Sequence, residues 1–140
     1  MAKYVLIPDS FKGTLSSEDI CRIASEEILR LEPEAEICAI PVADGGEGTV
    51  EALILATGGK KQSCWVTGPL FDKTMAAYGI MGDGKTAVIE MSSAAGLPLM
   101  EGRLCAEGAT TYGVGELILA AIRDGARRII LGLGGSATND

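Results

Sequence analysis

The sequence predicts an α/β fold, and three observations predict it. Over the first 60 residues, short apolar runs alternate with amphipathic stretches, the βαβα rhythm of a parallel sheet with right-handed crossovers. In the middle, "TMAAYGIM" and "KTAVIEM" flank "GDG" at 82–84, a hairpin signal that brings in antiparallel pairing. After residue 110 the helix-then-strand rhythm returns.

The elements follow in order. "KYVLI", within residues 3–8, is a short apolar strand ended by Pro8. A helix starts at Ser16 or Ser17, with serine as N-cap and Glu18 and Asp19 in the first turn, where the dipole favours acids. Its apolar face is Ile20, Ile23, Ala24, Ile28 and Leu31, and Pro33 ends it. "AEICAIPV" (35–42) is a second strand, and "ADGGEGT" (43–49) is a loop. A helix follows over about 49–56, closed by Gly58 and Gly59. "KQSCWVTG" (61–68) is a strand whose lone Trp65 is expected to pack, and "SSAAGLPL" (92–99) is a short helical turn or loop. Residues 111–124 form a helix with Val114, Leu117, Ile118, Ala121 and Ile122 on one face. "RRIILGLGG" (127–135) is a buried strand whose first arginines, Arg127 and Arg128, form a solvated edge. Residues 1–60 are expected to open one domain and residues 61–140 to belong to a second. The closing "GGSATND" has the composition of a loop leading into a helix, so the chain reads as part of something longer.

Composition excludes several functions. The 140 residues, 47% hydrophobic, suffice for a sizeable core. A net charge of −7 without a basic patch argues against a nucleic-acid partner. The absence of histidine removes Ser-His and Cys-His catalysis and most zinc sites formed within this chain. Cys21, Cys38, Cys64 and Cys105 make no CxxC and are expected to be reduced thiols. No run approaches the ~20 apolar residues of a membrane span, and the short apolar run of "MAKYVLIPDS", with no small-residue cleavage site, is not expected to act as a signal peptide. A soluble, cytoplasmic protein without a membrane partner is expected.

Three polar loops follow strands: "PDSFKG" (8–13), "ADGGEGT" (43–49) and "GGSATND" (134–140). If their strands lie parallel in one sheet, the loops share its carboxyl edge, where open α/β sheets bind ligands. Gly134, Gly135, Ser136 and Thr138 suit backbone cradling of a phosphate. Asp9, Asp44, Glu47 and Asp140 could hold Mg²⁺ alongside phosphate oxygens, or one could take a proton from an attacking hydroxyl. Lys12 could neutralise a transferred phosphoryl group. Taken singly, each has a plainer reading. Asp9 and Ser10 could form an Asx or ST turn, and "ADGGEG" a glycine turn. "GDG" could be only the hairpin, and Thr110 or Thr111 only a helix cap. Neither a Walker A motif nor a dinucleotide GxGxxG turn is present.

Together, "PDSFKGTLS", "PVADGGEGT", "VTGPL", "YGIMGDGKTAVIEMSSAAGL", "TTYGVGEL" and "LGLGGSATND" resemble, in this order, the N-terminal part of the bacterial class I glycerate kinases. The resemblance implies two α/β domains, one of them Rossmann- or flavodoxin-like, with the antiparallel hairpin beginning the second; relative to that family the chain is incomplete. It implies ATP- and Mg²⁺-dependent phosphorylation of D-glycerate, in this class to 2-phosphoglycerate, in organic acid catabolism. By resemblance Asp9, Lys12 and Asp44 stand nearest the chemistry. Ser10, Gly45, Gly46, Glu47, Thr49, Glu90, Thr111, Tyr112, Gly134, Gly135, Ser136, Thr138, Asn139 and Asp140 line the substrate and phosphate site. Which carboxylate is base and which holds metal stays open. The alternative is a non-catalytic chain that retains phosphate or carboxylate binding.

Overall fold

The computed structural model describes residues 1–139. By its internal contacts the chain forms two compact units, Met1–Ala43 and Asp44–Asp140. The fold is mixed α/β, with both parallel and antiparallel pairing.

In the first unit β1 (Lys3–Leu6) pairs in parallel with β2 (Glu36–Ala39), and α1 (Ser17–Leu31) makes the crossover between them. The strands are shorter than the apolar runs suggest, because Pro8 and Pro41 have no N–H to extend the ladder. Both serines at the helix start are used. Ser16 is the N-cap, its Oγ accepting the Asp19 amide at 3.0 Å. Ser17 Oγ donates to the Pro8 carbonyl at 2.7 Å and accepts the Val42 amide at 3.0 Å, joining the exits of both strands. The buried face of α1 differs from the expected one: Cys21 is its fully buried residue, whereas Ile23 and Leu31 are exposed.

In the second unit α2 (Thr49–Thr57) precedes a four-stranded sheet ordered β3-β4-β5-β6, made of β3 (Lys60–Thr67), β4 (Lys73–Ile80), β5 (Thr86–Glu90) and β6 (Arg128–Gly132). The first two pairings are antiparallel and β5–β6 is parallel, with α3 (Met91–Ala95), a 3-10 turn (Leu97–Met100) and α4 (Tyr112–Arg123) between β5 and β6. Every residue of β5 is buried, as a central strand covered on both faces requires. Val66, Ala76, Tyr78, Ala87 and Ile89 meet Val114, Leu117 and Ala121 of α4. On the other face Ile54 of α2 fills the space that the absent side chain of Gly79 leaves beside Val88. The β4–β5 hairpin forms around "GDG", and Asp83 caps it. Its carboxylate accepts the Lys85 and Thr86 amides, each at 2.8 Å, and also bonds Arg128 of β6. Arg128 therefore stays exposed at the edge yet ties the hairpin to the last strand.

Two expectations are corrected. The strands before the three polar loops do not share one sheet, since β1 and β2 form a two-stranded sheet whereas β6 pairs with β5. Trp65 is 65% exposed, because it stands on the α2-bearing face of edge strand β3, where Gly79 and Val88 take the helix and Trp65 and its partner Met75 do not. Among the described residues no helix is long and apolar enough to cross a membrane.

Candidate functional site

Strand direction sets the site in the second unit. Because β3, β5 and β6 run one way and β4 the other, Thr67, Glu90 and Gly132 end their strands at one sheet edge. This is the carboxyl edge at which α/β sheets bind ligands, built from a different trio of strands than the sequence suggests.

Two glycine loops meet there. The Gly134 amide donates to the Gly45 carbonyl at 3.0 Å. A Cβ on Gly132 would overlap that same carbonyl, and one on Gly134 would lie 2.7 Å from Gly46 Cα. Only glycine allows backbones to approach so closely. The 43–49 loop is also braced from within. Asp44 Oδ1 accepts the Gly46 amide at 3.0 Å, and Thr49 Oγ1 accepts the Gly45 amide at 3.1 Å while donating to the Gly46 carbonyl at 2.8 Å. Glu47 points to solvent. At Gly48, φ is 92°, left-handed backbone that suits glycine.

The last loop crosses α3. The Leu97 amide donates to the Gly135 carbonyl at 3.0 Å, and the Ala137 amide to the Ala95 carbonyl at 2.8 Å. Ser136 Oγ and Thr138 Oγ1 lie 2.9 Å apart, and Ser136 Oγ accepts the Thr138 amide. Asn139 is exposed, and Asp140 lies outside the described residues. Glu90 is 7% exposed and accepts the Val50 amide at 2.8 Å; burial raises its pKa, opposed by the backbone amides it accepts. Thr111 and Tyr112 begin α4 at the same edge. The flanking Thr110 amide donates to the Pro69 carbonyl at 2.9 Å, and Thr110 Oγ1 accepts the Tyr112 amide.

The remaining predicted residues belong to the first unit. Asp9 Oδ1 accepts the Ser10 amide at 2.7 Å, and Lys12 sits in the tight turn closed by the Phe11 amide donating to the Leu15 carbonyl at 2.9 Å. Gly13 takes φ 79° to make that turn. Residues not singled out from sequence also shape the edge. Glu116 accepts the Thr67 amide at 2.6 Å, which holds its carboxyl below the ordinary value. Ser93 Oγ accepts the Ala77 amide, one residue past the last β4–β5 pair, Tyr78 with Ile89, and Gly132 provides the close approach. Of these only Gly132, a glycine inside a strand, carried a readable signal.

The sequence profile described as the glycerate kinase family matches residues 4–140. The chain belongs to the glycerate kinase family. It is 50% identical over 139 residues to the glycerate 2-kinase of Escherichia coli K12, covering 99% of this chain and 36% of that protein. It is 48% identical over 139 residues to the glycerate kinase of Bacillus subtilis 168, covering 99% and 36%. In structure it is similar to a candidate glycerate kinase 2 from Salmonella typhimurium LT2, with a TM-score of 0.83 and 42% identity, over 100% of this chain and 38% of that one. The chain thus spans 36% to 38% of the length of these relatives.

Proposed function

We propose that the full natural chain phosphorylates D-glycerate with ATP and Mg²⁺, giving 2-phosphoglycerate, as a cytoplasmic enzyme. The family match over residues 4–140 carries this reading, and the close-packed glycine junction at the sheet edge supports it. The Ser136 and Thr138 hydroxyls, side by side just beyond that junction, suit the substrate carboxylate or a phosphate. Lys12 would offset phosphoryl charge, and Asp9 or Asp44 would take the proton of the attacking hydroxyl. Ser10 in the first unit, and Thr111, Tyr112 and Asn139 in the second, would contribute further polar groups to the substrates. Among the described residues no three Cys, Asp or Glu side chains could hold a metal together. Mg²⁺ arriving with nucleotide phosphates would need one or two protein carboxylates. Glu47, Asp140 and whichever of Asp9 and Asp44 is not the base are the candidates to supply them, and the ion would offset phosphate charge. Residues 1–60 and 61–140 would begin the two domains of this kinase.

Coupled ADP release with D-glycerate and MgATP tests the reading, and phosphorus NMR of the product distinguishes phosphorylation at the 2- and 3-hydroxyls. Silence with glycerate but turnover of another hydroxy acid would reassign the substrate. A second reading follows from the covered length of 36% to 38%: these 140 residues alone bind the anionic ligands without turnover. Calorimetry with ATP or glycerate would show heat without product.

A further inference from the structure

We propose that Glu90 is a positioning residue, whose buried carboxylate fixes the first turn of α2 and thereby the loop that carries Asp44 and Glu47. The inference rests on the glycerate kinase reading for its effect on turnover. The first amides of a helix have no partner within the helix and need acceptors from elsewhere. The N-cap of α2 is Gly48, which has no side chain to offer one. Glu90 supplies it from 40 residues away, accepting the Val50 amide at 2.8 Å. Val50 is 2% exposed, so water does not replace that acceptor. A carboxylate at this place also complements the helix dipole.

The register adds a second hold. Glu90 pairs with Gly132 on the neighbouring strand, and Gly132 is where the Gly45 carbonyl approaches too closely for any Cβ. Two adjacent strand ends thus secure both flanks of one segment: β6 holds Gly45, and β5, through Glu90, holds Val50. A buried carboxylate with one oxygen already committed to Val50 is poorly suited to bind glycerate or a phosphate, both anionic. Positioning accounts for its burial and its partner together.

Glu90→Gln and Glu90→Ala variants of the full natural chain test this. A glutamine carbonyl can still accept the Val50 amide, and alanine cannot. Glu90→Gln is expected to keep kcat within about threefold, while Glu90→Ala, per folded molecule, loses about 10- to 100-fold, the scale of a slightly misplaced catalytic group. Amide exchange across residues 44–52 should accelerate in Glu90→Ala and not in Glu90→Gln, with the β3–β4 ladder unchanged in both. Equal loss in both variants would mean that the charge itself acts on substrate and would overturn the proposal. So would a folded Glu90→Ala with full kcat, or unchanged exchange over 44–52. If Glu90→Ala does not fold, Glu90→Gln decides alone: retained kcat and exchange support positioning, and their loss refutes it. Wild-type turnover of D-glycerate, measured first, judges the kinase reading separately, and exchange does not depend on it.

Discussion

Gly134 shows how little room the glycine junction leaves. Its hypothetical Cβ meets backbone atoms of Gly46 and Gly45, which cannot swing aside as a side-chain tip would. Gly134→Ala should therefore destabilise the second unit by about 1–3 kcal/mol, as overpacking does, read as a lower urea midpoint. Glu90 yields a pH prediction. Burial sets its folded pKa above the ordinary 4.5, so its contribution is fully present below 4.5 and lost as pH rises through the folded value. Glu90→Gln stays neutral throughout. The stability of the variant relative to wild type should grow as pH rises through that window, in denaturant titrations at a series of pH values. A constant difference would contradict the assignment. The sequence marks the glycine loops for close backbone approach to a phosphate, whereas in the structure Gly45, Gly132 and Gly134 serve the approach of one backbone to another. The role of Glu90 was not legible, since its partner lies 40 residues away.

Among the elements, those with local signals were read well. Serine before two acids marked the start of α1, and "GDG" marked the hairpin, because caps and turns are decided by neighbouring residues. Ser16→Ala should lower the stability of the first unit by about 1 kcal/mol, the usual cost of a lost N-cap, measured by thermal unfolding. Asp83 accepts backbone and side-chain hydrogen bonds, Thr86 foremost, that hold its carboxyl well below the ordinary 3.8. Its contribution is thus present above 3.8 and lost as pH falls through the lower folded value. Asp83→Asn should be less stable than wild type at neutral pH, with the gap closing in strong acid. The buried face of α1 was misread at Ile23 and Leu31, because periodicity gives the apolar stripe and not which part of it finds a neighbour.

At the scale of the whole molecule, Trp65, the only tryptophan, reports on the α2-bearing face of β3. In the 140-residue chain its fluorescence should resemble that of free indole in water and be readily quenched by acrylamide. A blue-shifted, protected emission would show the face covered. With its partner Met75 also exposed, this face carries apolar surface that α2 does not cover. The alternation of elements, the hairpin, the caps and six motifs in order were in the sequence alone, and they sufficed for an α/β fold and a family. Each depends on contacts within a few residues or on the order of short segments. Which strands share a sheet was decided only in three dimensions. The 43–49 loop follows β2, yet its backbone docks on the end of β6, in a sheet to which β2 does not belong. Strand pairing joins residues far apart in sequence, and here the choice rests on bare backbone at Gly45, Gly132 and Gly134, whose fit no periodicity encodes.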